Sequence, residues 1–352
     1  MTPPPLSPTD LAECRTLMRG GSRSFFAASL LLPRAVREPA CALYAFCRLA
    51  DDAIDGAGGR PEAVGELRAR LDAVYAHGPR PNAADRALAA VVHRFGIPRE
   101  LPEALIEGFE WDAQGRVYET FDELTDYAAR VAGTVGAMMA LLMGVRHEAG
   151  LARACDLGVA MQLSNIARDV AEDAAMGRLY LPRQWLREAG VDPDAWLAQP
   201  RITPALLGVV QRLLDEAQAL YRRVDAGVAM LPPGCRPGIN AARYLYAAIG
   251  DEVRRRGPHA WATRTVVPPR RKALLLARSV MAPVRASLAE APPLRATDHL
   301  VRAALAAPAP RFAAGRRTIE DRAVWVIDLF ERLERQERAR AGARLGARAG
   351  VS

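Results

Sequence analysis

Two stretches of the chain each carry two aspartates four residues apart among apolar residues. Asp51 and Asp55 close the run Tyr44-Ala45-Phe46-Cys47-Arg48-Leu49-Ala50-Asp51-Asp52-Ala53-Ile54-Asp55, and Asp169 and Asp173 close Gln162-Leu163-Ser164-Asn165-Ile166-Ala167-Arg168-Asp169-Val170-Ala171-Glu172-Asp173. On a helix this spacing puts both carboxylates of a pair on one face, about a turn apart. Both runs sit among alanines and apolar residues that read as buried helix. Two acidic rows on facing buried helices repel each other unless cations lie between them, so the pattern points to a metal site. Asn165, one turn before Asp169, adds a neutral oxygen and extends the second row to an i, i+4, i+8 stripe. Mg2+ and Mn2+ favour such oxygens and bridge readily to phosphate. A single D-x-x-x-D on a surface helix is usually a solvated face; two on buried-looking helices carry more.

Arginines accompany the acids. Arg48 stands three residues before Asp51, and Arg168 is beside Asp169. They either neutralise the carboxylates or present guanidinium forks to phosphate oxygens. Metals and arginines over an apolar helical cavity describe a diphosphate on a long hydrocarbon. Its departure leaves an allylic cation, which an apolar wall must keep from water. Other chemistries lack support. His77, His93, His147, His259 and His299 show no zinc spacing, and there is no G-x-S-x-G, Walker loop or dinucleotide fingerprint.

The elements that must hold these residues read as helices. Half of the 352 residues are hydrophobic, only 6% are aromatic, and alanine and leucine dominate, which suits an all-α globule. Helical signals place elements at 10–19, from Ser22 to near Pro33, and at 35–55, 62–76, 83–95 and 99–113. Thr120 with Glu123 signals a capping box before a helix over 122–146. Further helices are expected over 149–173, 183–189, 204–230, 236–256 and 270–289. Gly133 and Gly136 inside the 122–146 helix suggest close approach of another backbone or of a ligand chain. Val131–Val145 falls short of the ~20 residues that span a bilayer. The domain reading is a lead without order over 1–9, a catalytic domain over 10–290, a Pro/Ala-rich linker over 291–316, and a C-terminal helix (318–341) with a basic tail within 317–352. That last helix is either docked on the domain with a solvated face or a membrane or dimer helix.

Net charge is +8, nearly all from arginine, since Lys272 is the only lysine. No aromatic-interleaved basic groove or helix-turn-helix pattern points to nucleic acid. Five scattered cysteines read as reduced thiols, and the N-terminus lacks a signal-peptide pattern, so a cytoplasmic protein is expected. The arginine-rich surface leaves peripheral contact with the inner membrane face as an expectation.

The sequence resembles the squalene/phytoene synthase family, most closely its bacterial phytoene-forming members, over about residues 10–285. The resemblance rests on Ser22-Arg23-Ser24-Phe25, the two acidic runs, Val131-Ala132-Gly133-Thr134-Val135-Gly136 and Gly177-Arg178-Leu179-Tyr180-Leu181-Pro182. It implies an isoprenoid-synthase helical bundle around a central apolar cavity. The implied reaction is head-to-head condensation of two geranylgeranyl diphosphates to phytoene through a cyclopropylcarbinyl diphosphate. Asp51, Asp55, Asn165, Asp169 and Asp173 would hold Mg2+ or Mn2+. Ser22, Arg23, Ser24, Tyr44, Arg48, Gln162, Asn165, Arg168, Tyr246 and Arg264 would hold diphosphate oxygens. Tyr127 would face the cationic centre or the released diphosphate. Phe25, Ser29, Val131, Gly133 and Val135 would line the cavity, with Ser29 leaving its floor open to a C20 chain. Gly21 stands where some relatives carry a histidine. No NADPH is expected for this reaction. The alternatives are C15 chemistry giving dehydrosqualene or squalene, and a non-catalytic helical assembly factor of the same family.

Overall fold

Local signals fix many of the helix ends. Thr120 Oγ1 accepts from the Glu123 amide at 3.2 Å while Glu123 Oε2 accepts from the Thr120 amide at 3.3 Å, the reciprocal cap expected of this pair. Asn82 caps another helix by accepting from the Asp85 amide, and Gly96, in the left-handed conformation at φ 57°, ends it. Thr203 and Asp192 cap two more, each followed by a proline at the first helical position.

The computed structural model describes residues 6–56, 61–76, 78, 82–282 and 291–307, and all regular elements among them are helical. In order they are α1 (Pro8–Gly21), α2 (Arg23–Ser29), α3 (Arg34–Gly56), α4 (Pro61–Tyr75), α5 (Ala83–Phe95), α6 (Glu100–Ala113), α7 (Phe121–Ala128), α8 (Thr134–Leu142) and α9 (Glu148–Ala175). There follow α10 (Arg183–Glu188), α11 (Pro193–Ala198), α12 (Pro204–Met230), α13 (Arg236–Arg256), α14 (Pro269–Met281) and α15 (Asp298–Ala306). The chain divides into two units, 1–313 and 314–352; the second, with the helix expected over 318–341, lies outside the described residues.

Three stretches differ from the sequence expectation. The helix expected over 122–146 is interrupted by a π-helical turn at Ala129–Gly133, where Thr134 Oγ1 donates to the Arg130 carbonyl at 2.6 Å. α11 forms in a stretch with no assigned element, because it is too short to show a period. The supposed linker over 291–316 begins with packed structure: a 3-10 turn at Arg295–Thr297 leads into α15, whose Leu300, Val301 and Ala304 are buried. Flanking prolines disguised this helical spacing as a loop. Among the described residues no helix is long and apolar enough to cross a membrane.

α9 is central, packing on α8, the π turn, α12 and α13. A Cβ added at Gly158 would stand 2.1 Å from the Ala132 carbonyl oxygen, and one at Gly136 would stand 2.1 Å from that of Ala154. The close backbone approach expected from the glycine pair is therefore real at Gly136. Gly133 instead faces Leu300 and Thr297 at ordinary van der Waals distance. Arg153 and Arg223 both pair with buried Asp156, at 2.7 and 2.8 Å. They also donate to the carbonyls of Ala291 and Pro292, tying the segment before α15 to α9 and α12.

Gly158→Ala or Gly136→Ala should force these helices apart and cost about 1–3 kcal/mol. Gly208→Ala, where an added Cβ meets nothing within 4 Å, should be neutral or stabilising by about 0.5–1 kcal/mol. Urea unfolding of the three variants measures the contrast.

Candidate active site

One face of α9 joins the cavity to the acids. Gly150, Arg153, Ala154, Leu157, Gly158, Met161, Gln162 and Asn165 line a largely apolar cavity along one helical stripe. The same stripe continues through Asp169 and Asp173. Residues 150–165 span about 22 Å at the helical rise. The opposite wall comes from Phe25 of α2, Tyr44 of α3, Val131 of the π turn, Val135 of α8 and Tyr246 of α13. Phe25 and Tyr44 stack with centroids 5.5 Å apart. A Cβ added at Gly21 would stand 2.2 Å from the Tyr44 hydroxyl, so glycine here makes room for the tyrosine. Burial, then the neighbouring Tyr246, pushes the Tyr44 hydroxyl up to about 12, which keeps it a donor.

At the end of α3, Arg48 pairs with Asp51 at 3.4 Å and with Asp52 at 2.6 Å. At the end of α9, Arg168 grips Asp169 with two donors. Arg264 reaches both Asp169, at 3.4 Å, and Glu172, at 3.2 Å. The 3-10 turn Gly257–Trp261 anchors the approach of Arg264, since Trp261 Nε1 donates to the Ala167 carbonyl at 3.2 Å.

A third carboxylate joins the two rows. Asp112, at the end of α6, accepts from the hydroxyls of Tyr127 at 2.8 Å and Tyr180 at 2.7 Å, inside a cluster where Tyr180 stacks on Tyr118 and Tyr127 and those two rings meet at a tilt. Burial pushes Asp112 up to about 6 against these two hydrogen bonds, and the charge of Asp51 adds to the rise. Burial also pushes Asp173 up to about 7, with Asp169 and Asp112 contributing. The acids of α3, α6 and α9 thus feel one another across the same space. Asp112 escaped sequence reading because no second acid stands at helical spacing from it; the Trp111-Asp112 helix end and the tyrosines were visible, but only the fold brings them together.

The expected site residues separate accordingly. Tyr44, Gln162, Asn165, Tyr246, Phe25, Val131 and Val135 line the cavity, while Arg48, Arg168, Arg264, Asp51, Asp169 and Asp173 gather at the acidic end. Ser22 caps α2 by accepting from the Phe25 amide, and Ser24 is half-buried in that helix. The side chains of Arg23 and Asp55 lie outside the described residues; Asp55 is placed in α3 by its backbone. Two expectations are corrected, at Ser29 and Gly133. Ser29 does not reach the cavity, since its hydroxyl donates to the Phe26 carbonyl and rests on Met18 Sδ. Gly133 faces α15 and the turn before it. Tyr127 lies outside the cavity lining and is directed to Asp112.

The oxygen donors of Asp51, Asn165, Asp169 and Asp173 suit a hard divalent cation. Among the described residues no three His, Cys, Asp or Glu side chains form a ready-made metal cluster, and arginines pair with Asp51 and Asp169.

The squalene/phytoene synthase family model matches residues 18–272. A phytoene synthase of Cereibacter sphaeroides is 49% identical, covering 98% of this chain and 99% of that protein. A phytoene synthase of Rhodobacter capsulatus is 51% identical over 85% of this chain and 91% of its own. Among solved structures, a dehydrosqualene synthase in complex with a ligand is similar with a TM-score of 0.72 at 30% identity, covering 77% of this chain and 95% of that one. A squalene synthase from Alicyclobacillus acidocaldarius gives a TM-score of 0.63 at 27% identity, over 71% and 94%.

Asp112 is raised above its unfolded value, so its contribution to stability is full below about 3.8 and is lost as pH rises through about 6. Asp112→Asn removes this titration. The variant's stability relative to wild type should rise between pH 4 and 7 by on the order of 2–3 kcal/mol, read from metal-free thermal melts.

Proposed function

This chain belongs to the squalene/phytoene synthase family, and from that premise we propose that it joins two geranylgeranyl diphosphates head to head to give phytoene. It is a prenyl-group transferase of all-α isoprenoid-synthase fold. The observation that carries the reading is the single face of α9, apolar from Gly150 to Met161 apart from Arg153, which is paired with Asp156, and polar from Gln162 to Asp173. The similarity to phytoene synthases favours the C20 substrate over a C15 one. The acids and their arginines, all present, speak against a non-catalytic assembly factor.

Asp51, Asp55, Asn165, Asp169 and Asp173 would hold Mg2+ or Mn2+, which when bound neutralises the diphosphate and makes it a leaving group. Arg48, Arg168 and Arg264, here paired with carboxylates, would turn their donors to diphosphate oxygens. Tyr44, Gln162 and Tyr246 orient the head group at the cavity mouth. Phe25, Val131 and Val135 exclude water from the allylic cation, and the flat faces of Phe25 and Tyr44 stabilise its charge. The C2=C3 bond of the second substrate attacks this cation, and proton loss gives a cyclopropylcarbinyl diphosphate. A second ionisation, rearrangement to the 1-1' linkage and a final proton loss give phytoene. Because Tyr127 is tied to Asp112, the proton-accepting steps fall to diphosphate oxygen. Tyr127 and Tyr180 act by positioning Asp112 behind the acidic rows. The catalytic unit is proposed to run through α15, in a cytoplasmic enzyme that meets the membrane peripherally.

Incubation with geranylgeranyl diphosphate and Mg2+ or Mn2+, with and without NADPH, followed by mass spectrometry of extracted products, tests the reading. Phytoene in both arms is expected; a reduced C40 hydrocarbon in its place when NADPH is present, or no diphosphate release, would refute it. Asp51→Ala and Asp169→Ala should lose nearly all turnover with unchanged circular dichroism. Ala154→Phe, which blocks the cavity partway along α9, should lower kcat/KM for the C20 substrate at least about tenfold while sparing farnesyl diphosphate.

A further inference from the structure

Large apolar side chains exposed to solvent concentrate on one stretch of this protein. Val266 is 62% exposed, Leu274 68% and Met281 77%, with Val280 also exposed. Leu274 and Met281 are seven residues apart and share a face of α14, and Arg270 and Arg278 flank Leu274 at four residues on either side. α14 is held to α13 by its other side, through buried Leu276 and Ser279 and a small cluster of Leu275, Val267 and Ile249. The outer apolar residues are therefore not needed by the core.

Charge decides what this face fits. Residues 253–282 contain eight arginines and lysines and no aspartate or glutamate. Arg254, Arg255 and Arg271 are met by carboxylates of other segments, but Arg270 and Arg278 have no carboxylate partner among the described residues. A second copy docked on the same face would set these arginines against each other. An anionic lipid surface meets both features, taking the apolar side chains among its acyl chains and the arginines among its headgroups. The face also adjoins the acidic end of the site, since Arg264, two residues before Val266, pairs with Asp169 and Glu172.

We propose that Val266 and the outer face of α14 form the surface by which this enzyme docks on an anionic bilayer beside its active-site mouth. The inference rests on the reading of the substrate as a prenyl diphosphate, an amphiphile that partitions into membranes, and of the product as an oil.

Flotation of the full chain with phosphatidylcholine vesicles, with or without phosphatidylglycerol, tests it. The wild type should float only with phosphatidylglycerol and should be released by salt. Leu274→Glu/Met281→Glu should lower the vesicle-bound fraction at least about tenfold, while turnover of detergent-dispersed geranylgeranyl diphosphate stays within about twofold. Arg270→Gln/Arg278→Gln should weaken binding in the same direction, and decides the matter if melting shows the first variant misfolded. Wild type remaining in the soluble fraction would overturn the proposal, as would flotation unchanged in these variants. Conversion of a dimer to a monomer by Leu274→Glu/Met281→Glu with flotation unchanged would assign the face to a second copy instead. Leu274-dependent flotation of a protein that fails to turn over prenyl diphosphate would sink the proposed function and leave the docking surface standing.

Discussion

Repulsion among carboxylates gathered at one end of an apolar cavity is the constraint on which this structure turns. Asp51, Asp112, Asp169 and Asp173 come from three helices that the core holds rigidly, so they cannot relax by moving apart. Burial and mutual charge raise Asp112 and Asp173, while arginines close on Asp51 and Asp169. Burying charge this way is expensive unless each charge has a partner. On the proposed function the partners would be exchanged: guanidinium forks that now face carboxylates would face diphosphate oxygens once the carboxylates hold cations.

α9 links this electrostatic end to the hydrocarbon end. Glycine and alanine on its cavity face leave room for a chain, and Gly158, meeting the backbone at Ala132, brings the neighbouring segment close enough to form a wall. Asn165, Asp169 and Asp173 continue the same stripe, so the distance from reacting head to cavity floor is fixed by a single rigid rod. On the proposed reading, chain-length selection and metal binding would both depend on this one helix, and a change of register in α9 would disturb both.

Much of this was legible in the residues. Paired acids at helical spacing, Asn165 one turn ahead, and the flanking arginines pointed to the chemistry proposed above, and the Thr120–Glu123 cap fell where the pattern placed it. What stayed hidden depends on contacts distant in sequence. Asp112 belongs to the site only because Tyr127 and Tyr180 converge on it. Ser29 looked like a gap in the cavity wall because it is small and one turn after Phe25, but rotation of the short α2 points it at Met18. Gly133 suggested a cavity position, yet the π turn and α15 lie against it. Proline-rich flanks concealed α15 itself, whose burial follows from three apolar residues that a period search in so short a segment does not separate from a loop.

The central claim is that the acidic end is built to take divalent cations together with a diphosphate. Electron paramagnetic resonance of Mn2+ titrated into the purified protein, with and without inorganic diphosphate, tests it most directly. The account predicts a bound-Mn2+ signal that strengthens sharply with diphosphate and disappears in Asp169→Ala. Mn2+ remaining free in both conditions, or bound equally well by wild type and Asp169→Ala, would contradict it.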